Sequence, residues 1–177
     1  ILLINAESKS EIIEIEKIAK SKKKIVDIGI RLNPNTDANT ISQISTGKKE
    51  NKFGVDEITF LNLVQYSKKS KHIHLKCLSV HIGSQILDHG PFEKMLKVIN
   101  KIIKKTNYKF EFIDLGGGMG ISYKNNNKKL NYKKYNFAIK KFLKNYKKYN
   151  FAIKKFLKDH KSKIIFEPGR SIVGNIA

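Results

Sequence analysis

The sequence predicts an α/β fold, part of a (β/α)8 TIM-type barrel contributing roughly its middle five strands. Three observations carry this. Short apolar runs alternate with helical patterns along the chain, which implies parallel strands joined by helical crossovers. Three of those runs end abruptly in polar or glycine residues. Leu78-Ser79-Val80 runs into His81-Ile82-Gly83-Ser84-Gln85, Ile113-Asp114-Leu115 into Gly116-Gly117-Gly118-Met119-Gly120, and Ile164-Ile165-Phe166 into Glu167-Pro168-Gly169-Arg170. The ends are also evenly spaced: His81 and Gly116 lie 35 residues apart, and Gly116 and Glu167 lie 51 apart, of which 14 belong to a repeat, leaving 37. A (β/α)8 barrel has about this period and carries its site at the C-terminal ends of the strands. An open Rossmann-like sheet fits the spacing less well.

The elements follow in order. Ile1 to Asn5 reads as a strand, and Ser8-x-x-Glu11 is a capping box opening a helix to about Lys20, with Ile12, Ile15 and Ala19 on one face. Ile25 to Leu32 is a strand stopped by Asn33-Pro34. A polar loop holding Ser45-Thr46-Gly47 and Lys52-Phe53-Gly54 leads to a helix from Asp56 to about Ser70. Leu75 to Val80 is a strand, Pro91 to Lys105 a helix, and Phe110 to Leu115 a strand. A lysine-rich helical stretch runs from Tyr132 to about Lys158, and Lys163 to Phe166 is the last strand.

Residues 131–144, NYKKYNFAIKKFLK, recur letter for letter as residues 145–158. At 100° per residue the second copy is only roughly 40° out of phase, so Phe137, Phe142, Phe151 and Phe156 form one drifting stripe. The combined helix is longer than one barrel helix needs, so one copy is expected to protrude or loop out. A duplication tolerated on the outer surface is the reading preferred over a basic amphipathic partner-binding helix.

The net charge of +21 would ordinarily point to nucleic acid or an anionic surface. However, only Arg31 and Arg170 among the 36 basic residues are arginines, and the lysines are scattered over almost every segment. Phosphate and base recognition favours clustered arginine forks, so no nucleic-acid partner is expected. No run reaches the ~20 apolar residues of a membrane span. The single cysteine, Cys77, excludes an internal disulfide and suits a reducing cytoplasm. One domain is the expectation for this length, and both ends read as cuts within a longer protein.

Gly116-Gly117-Gly118 offers bare backbone N–H groups suited to a phosphate, as does the dinucleotide fingerprint, but Ile121 stands where a further spaced glycine belongs. Glu167-Pro168-Gly169-Arg170 reads as a rigid turn aiming a carboxylate and a guanidinium into one pocket. His81 and Ser84 place an imidazole and a hydroxyl on one short loop. His72, His74 and Cys77 precede the productive end of their strand and lack a further ligand, so no metal site is expected and Cys77 is assigned to the core.

Taken together, INAESKSEI, RLNPNTDA, ISTGKKENKFG, HIGSQI, DLGGGMGI and EPGRSIVGNIA resemble the diaminopimelate decarboxylases. These belong to the pyridoxal-phosphate (PLP) decarboxylases with an alanine-racemase-like barrel. The resemblance covers nearly the whole chain except the repeat. It implies decarboxylation of meso-2,6-diaminopimelate to L-lysine and CO2 by a cytoplasmic homodimer acting on a small amino acid. The alternatives are an ornithine, arginine or carboxynorspermidine decarboxylase, or a non-catalytic PLP-binding homologue. It further implies that Gly116, Gly117, Gly118 and Ser84 bind the cofactor phosphate, and that His81 stacks on the pyridine. Glu167 would bond the pyridine nitrogen within the Glu167-Pro168-Gly169-Arg170 turn. Arg170 would sit by the phosphate or clamp a substrate carboxylate, and Arg31 would line the barrel nearby. The family's Schiff-base lysine, its early strands, its C-terminal β-domain and its cysteine-bearing loop have no counterpart here. The 177-residue piece alone is therefore expected to be inactive.

Overall fold

A computed structural model describes residues 1–36, 53–121, 131–140 and 162–173. Helix α1 (Lys9–Ser21) starts where its cap places it, with Ser8 Oγ accepting the Glu11 N–H at 3.2 Å. The Glu11 carboxylate reaches back to the Glu7 N–H, one residue before the cap, at 2.5 Å. Ile12 and Ala19 are buried and Ile15 lies against the same core, as the spacing predicts. Asp56 caps α2 (Glu57–Lys69) by accepting the Thr59 N–H at 2.8 Å. Helix α3 (Gly90–Thr106) has Pro91 in its first turn and ends at Asn107, whose φ of 44° stops it in the left-handed region. Residues 132–140 form α4. The rest of the predicted long helix, the second repeat copy and the Ser45-Thr46-Gly47 loop lie outside the described residues.

The Pro168-Gly169 pair departs from its expected role. Rather than a turn alone, it opens a short helix, α5 (Gly169–Val173), with the Ile172 N–H donating to Pro168 O at 3.2 Å. Proline is tolerated at a helix start because its missing N–H would have had no partner there.

The five strands are β1 (Ile4–Ala6), β2 (Val26–Arg31), β3 (Ile73–Ser79), β4 (Phe112–Asp114) and β5 (Lys163–Ile165). They lie side by side in chain order and every pairing is parallel, as expected of consecutive barrel strands. Strand β3 starts two residues earlier than its apolar run suggests, because Ile73 pairs with Val26 and is buried. Its register with β2 slips once: Ile28 faces Leu75 but Gly29 faces Cys77, so Lys76 is bulged out.

Alternation along each strand divides the sheet into two faces. Ala6, Ile28, Ile30, Leu75, Leu78, Val80, Ile113 and Leu115 share one apolar core with Ile12, Phe60, Leu63, Phe92, Ile99 and Phe110. Each large side chain fully buried there stabilises the fold by about 1.5–3 kcal/mol. The other face carries Asn5, Glu7, Asp27, Arg31, Ser79 and Asp114. Asn5 Nδ2 donates to Asp114 Oδ2 at 3.3 Å although β2 and β3 lie between their strands. Three strand spacings in a flat sheet would separate them by about 14 Å. The contact therefore requires the sheet to curl with its polar face concave, the curvature of a barrel wall.

Candidate functional site

The C-terminal ends of β3, β4 and β5 meet at the rim of the concave face. Strand β4 delivers Asp114, only 2% exposed, whose carboxylate accepts from Ser79 Oγ at 3.0 Å, Asn5 Nδ2 at 3.3 Å and the Gly116 N–H at 2.9 Å. Strand β2 delivers Arg31, gripped by Glu7 at 2.5 Å, which also accepts the Gly54 N–H at 3.2 Å. The Arg31 guanidinium lies 5.2 Å from the Phe53 ring centroid and reaches the His81 carbonyl at 3.5 Å.

The triple glycine is required by close approach. A β-carbon on Gly117 would stand 2.0 Å from the Glu167 carbonyl oxygen, and one on Gly118 would stand 2.2 Å from that of Gly83. Only bare backbone lets three strand ends converge this tightly. Two of the three N–H groups expected to face a phosphate have partners within the protein. The Gly116 N–H goes to Asp114 Oδ1, and the Gly117 N–H goes to His81 Nδ1 at 3.1 Å. The ring of His81 and the preceding carboxylate take these donors because the turn folds back on both.

The loops are fastened to one another. Gln85 donates to Ile121 O at 2.6 Å and accepts the Ile121 N–H at 3.1 Å, while Ile86 and Gly118 are joined at 2.8 Å. Ser84, set between these clamps, accepts from Arg170 Nε at 3.1 Å. A hydroxyl that accepts this way keeps its own proton to donate. Ser84 and Arg170, both expected near a phosphate, are thus brought within hydrogen-bond distance of each other, with α5 supplying the arginine.

His81 Nδ1 and Glu167 Oε2 are 3.7 Å apart. This is not an ion pair, since Nδ1 already accepts the Gly117 N–H and a neutral ring has no proton to give there. Burial and then the Arg31 charge hold the imidazole below the usual histidine range, with Asp114, Glu7 and a hydrogen bond to the Gly83 backbone opposing. Burial and then Asp114 push the Glu167 carboxyl above its ordinary value, opposed by Arg31. A neutral, half-buried ring and a partly exposed carboxylate therefore face one space.

Cys77 is fully buried as expected, though it lies on the polar face between Gly29 and Asp114 rather than in the apolar cluster. Burial pushes its thiol up to about 12, with Asp114 adding to the effect. His74 pairs with Asp27 at 3.2 Å at the opposite end of the strands, away from Glu167. Asn5, Glu7, Gly29 and Asp114 were not singled out from sequence. The available signal was Asp114 itself, an acid inside an apolar run, followed by glycine two residues later in the pattern of a local carboxylate–N–H turn.

Residues 1–174 match the family described as "Pyridoxal-dependent decarboxylase, pyridoxal binding domain". The chain belongs to the pyridoxal-dependent decarboxylases. It is 39% identical over 176 residues to the diaminopimelate decarboxylase of Helicobacter pylori strain J99, covering 98% of this chain and 40% of that one. It is 35% identical to the diaminopimelate decarboxylase of Aquifex aeolicus, covering 99% and 39%. The crystal structure of the H. pylori enzyme complexed with L-lysine superposes with a TM-score of 0.83 at 38% identity, covering 97% of this chain and 41% of that one. The chain thus spans about 40% of the length of these pyridoxal-dependent decarboxylases. No described helix is long and apolar enough to cross a membrane.

The residues present fit the family's cofactor. A guanidinium bonded to a hydroxyl that retains its proton suits a phosphate, and a neutral ring beside a carboxylate suits a protonated pyridine.

Proposed function

We propose that the protein containing this segment is a PLP-dependent diaminopimelate decarboxylase, converting meso-2,6-diaminopimelate to L-lysine and CO2. Residues 1–177 supply part of its PLP-binding barrel. The carrying observation is that the segments following β3 and β5 bring His81 to 3.7 Å from Glu167 and Ser84 to 3.1 Å from Arg170. The names of its relatives, and the lysine bound to one of them, support the choice of substrate.

When bound, the cofactor supplies an electron sink for the carbanion left by loss of CO2. Glu167 holds a proton on the pyridine nitrogen, and its raised affinity for protons suits that bond. His81 presents an uncharged face to the ring, avoiding a cation that would compete with the pyridinium. Gly118, Ser84 and Arg170 hold the phosphate, the N–H groups of Gly116 and Gly117 being used within the protein. A cytoplasmic homodimer is part of the same reading.

The test is CO2 release by the full-length protein from meso-diaminopimelate, ornithine, arginine and carboxynorspermidine, with Glu167→Gln, His81→Ala and exposed Lys97→Ala as variants. Turnover of meso-diaminopimelate alone, lost in the first two variants and kept in the third, is expected. Preference for another amine, or equal effects of the three substitutions, overturns the assignment.

A further inference from the structure

The Gly117 N–H is aimed at His81 Nδ1 from 3.1 Å, and the neighbouring Gly116 N–H is held by buried Asp114 at 2.9 Å. Gly116 has a φ of 63° and Gly118 one of 87°, so Gly117 sits between two left-handed residues. The direction of its N–H is therefore set by whatever fixes the turn. Asp114 is the fixed end: its other oxygen is tied to β3 through Ser79 and to β1 through Asn5.

We infer that Asp114 is a positioning residue for His81. By holding the Gly116 N–H it aims the Gly117 N–H at Nδ1, and so leaves the ring proton on Nε2. A neutral imidazole carries one proton, and the nitrogen that accepts a hydrogen bond is the one without it. The opposite tautomer would set two N–H donors against each other and turn a proton toward Glu167, 3.7 Å away. The backbone donor thus prevents the histidine from claiming the carboxylate. The inference rests on the proposed reading, because its value to the reaction is that Glu167 stays available to a pyridine nitrogen.

The test is 15N NMR of histidine-labelled full-length protein without cofactor, at neutral pH, with His81 signals assigned by their loss in His81→Gln. The wild type is expected to show Nδ1 unprotonated and Nε2 protonated. Asp114→Ala is expected to add a second, Nδ1-protonated set, and Asp114→Asn, whose amide oxygen still accepts from Gly116, to restore the wild-type pattern. Should Asp114→Ala not fold, Asp114→Leu, close in shape but without an acceptor, replaces it. A protonated Nδ1 in the wild type overturns the inference, as does an unchanged pattern in a folded variant lacking the acceptor. Titration of the same wild-type sample with PLP, followed by absorbance, separates the two ideas. An Nε2-protonated ring in a protein that does not bind PLP sinks the functional reading and leaves the tautomer assignment standing.

Discussion

A β-carbon on Gly29 would stand 1.9 Å from Asn5 Oδ1, so the missing side chain on β2 is what lets Asn5 cross to Asp114. Gly29→Ala is expected to push Asn5 aside, crowd Cys77 and cost about 1–3 kcal/mol. Asn5→Ala removes the obstructed group. The double variant should therefore be less destabilised than the sum of the two single ones, as read from denaturant midpoints of the full-length protein. Strict additivity would separate Gly29 from the Asn5–Asp114 contact.

Gln85 holds a φ of 58° and spends both ends of its amide on Ile121. Losing those bonds in Gln85→Ala is expected to cost about 1–3 kcal/mol. Gln85→Gly loses the same bonds but relieves about 1 kcal/mol of left-handed strain. The glycine variant should thus melt above the alanine one; the reverse order would show that the strain is unimportant.

Arg170→Lys keeps the charge but loses the Nε donor that meets Ser84. Charge-assisted bonds of this kind contribute about 1.5–3 kcal/mol, so PLP affinity is expected to fall roughly 10- to 100-fold. Ser84→Ala should weaken binding less, since the guanidinium remains. Absorbance titration of the cofactor-free protein measures both, and unchanged affinity in the lysine variant would remove Arg170 from the phosphate site.

His81 and Glu167 pull stability in opposite directions with pH. The folded protein binds a proton at His81 less readily than the unfolded chain does. As pH falls below the ordinary histidine value of 6.5 the unfolded state gains protons first and stability drops. The folded Glu167 carboxyl binds its proton more readily, so that group contributes more stability as pH falls toward its ordinary value of 4.5. Melting temperatures of the cofactor-free protein should decline on acidification below 6.5, and less so in His81→Gln. A wild-type profile matching that of the variant would contradict the buried neutral ring.

What could be read from sequence was what depends on neighbours along the chain. Ser8 and Asp56 cap their helices because capping is local, and Ile12 and Ala19 face inward because helical spacing is local. The convergence of His81, Glu167 and Arg170 was legible because parallel strands put their C-terminal ends on one rim. The Asn5–Asp114 contact was not, since it depends on how far the sheet curls. Nor was the use of the Gly116 and Gly117 N–H groups, decided by side chains two and 36 residues away. Helix α5 was hidden by a Pro-Gly pair whose local preference is to turn.

At the far end of the strands, Asp27 binds His74 at 3.2 Å and Lys76 at 2.8 Å, and Lys76 also approaches Glu111 at 3.5 Å. These partly solvated charges are screened by salt, whereas the buried carboxylate of Asp114 is sheltered from it. Rising ionic strength should thus loosen the strands from that end while the rim keeps its shape. The two ends of the strands are thus fastened by different means, solvated ion pairs at one and the buried Asp114 carboxylate at the other.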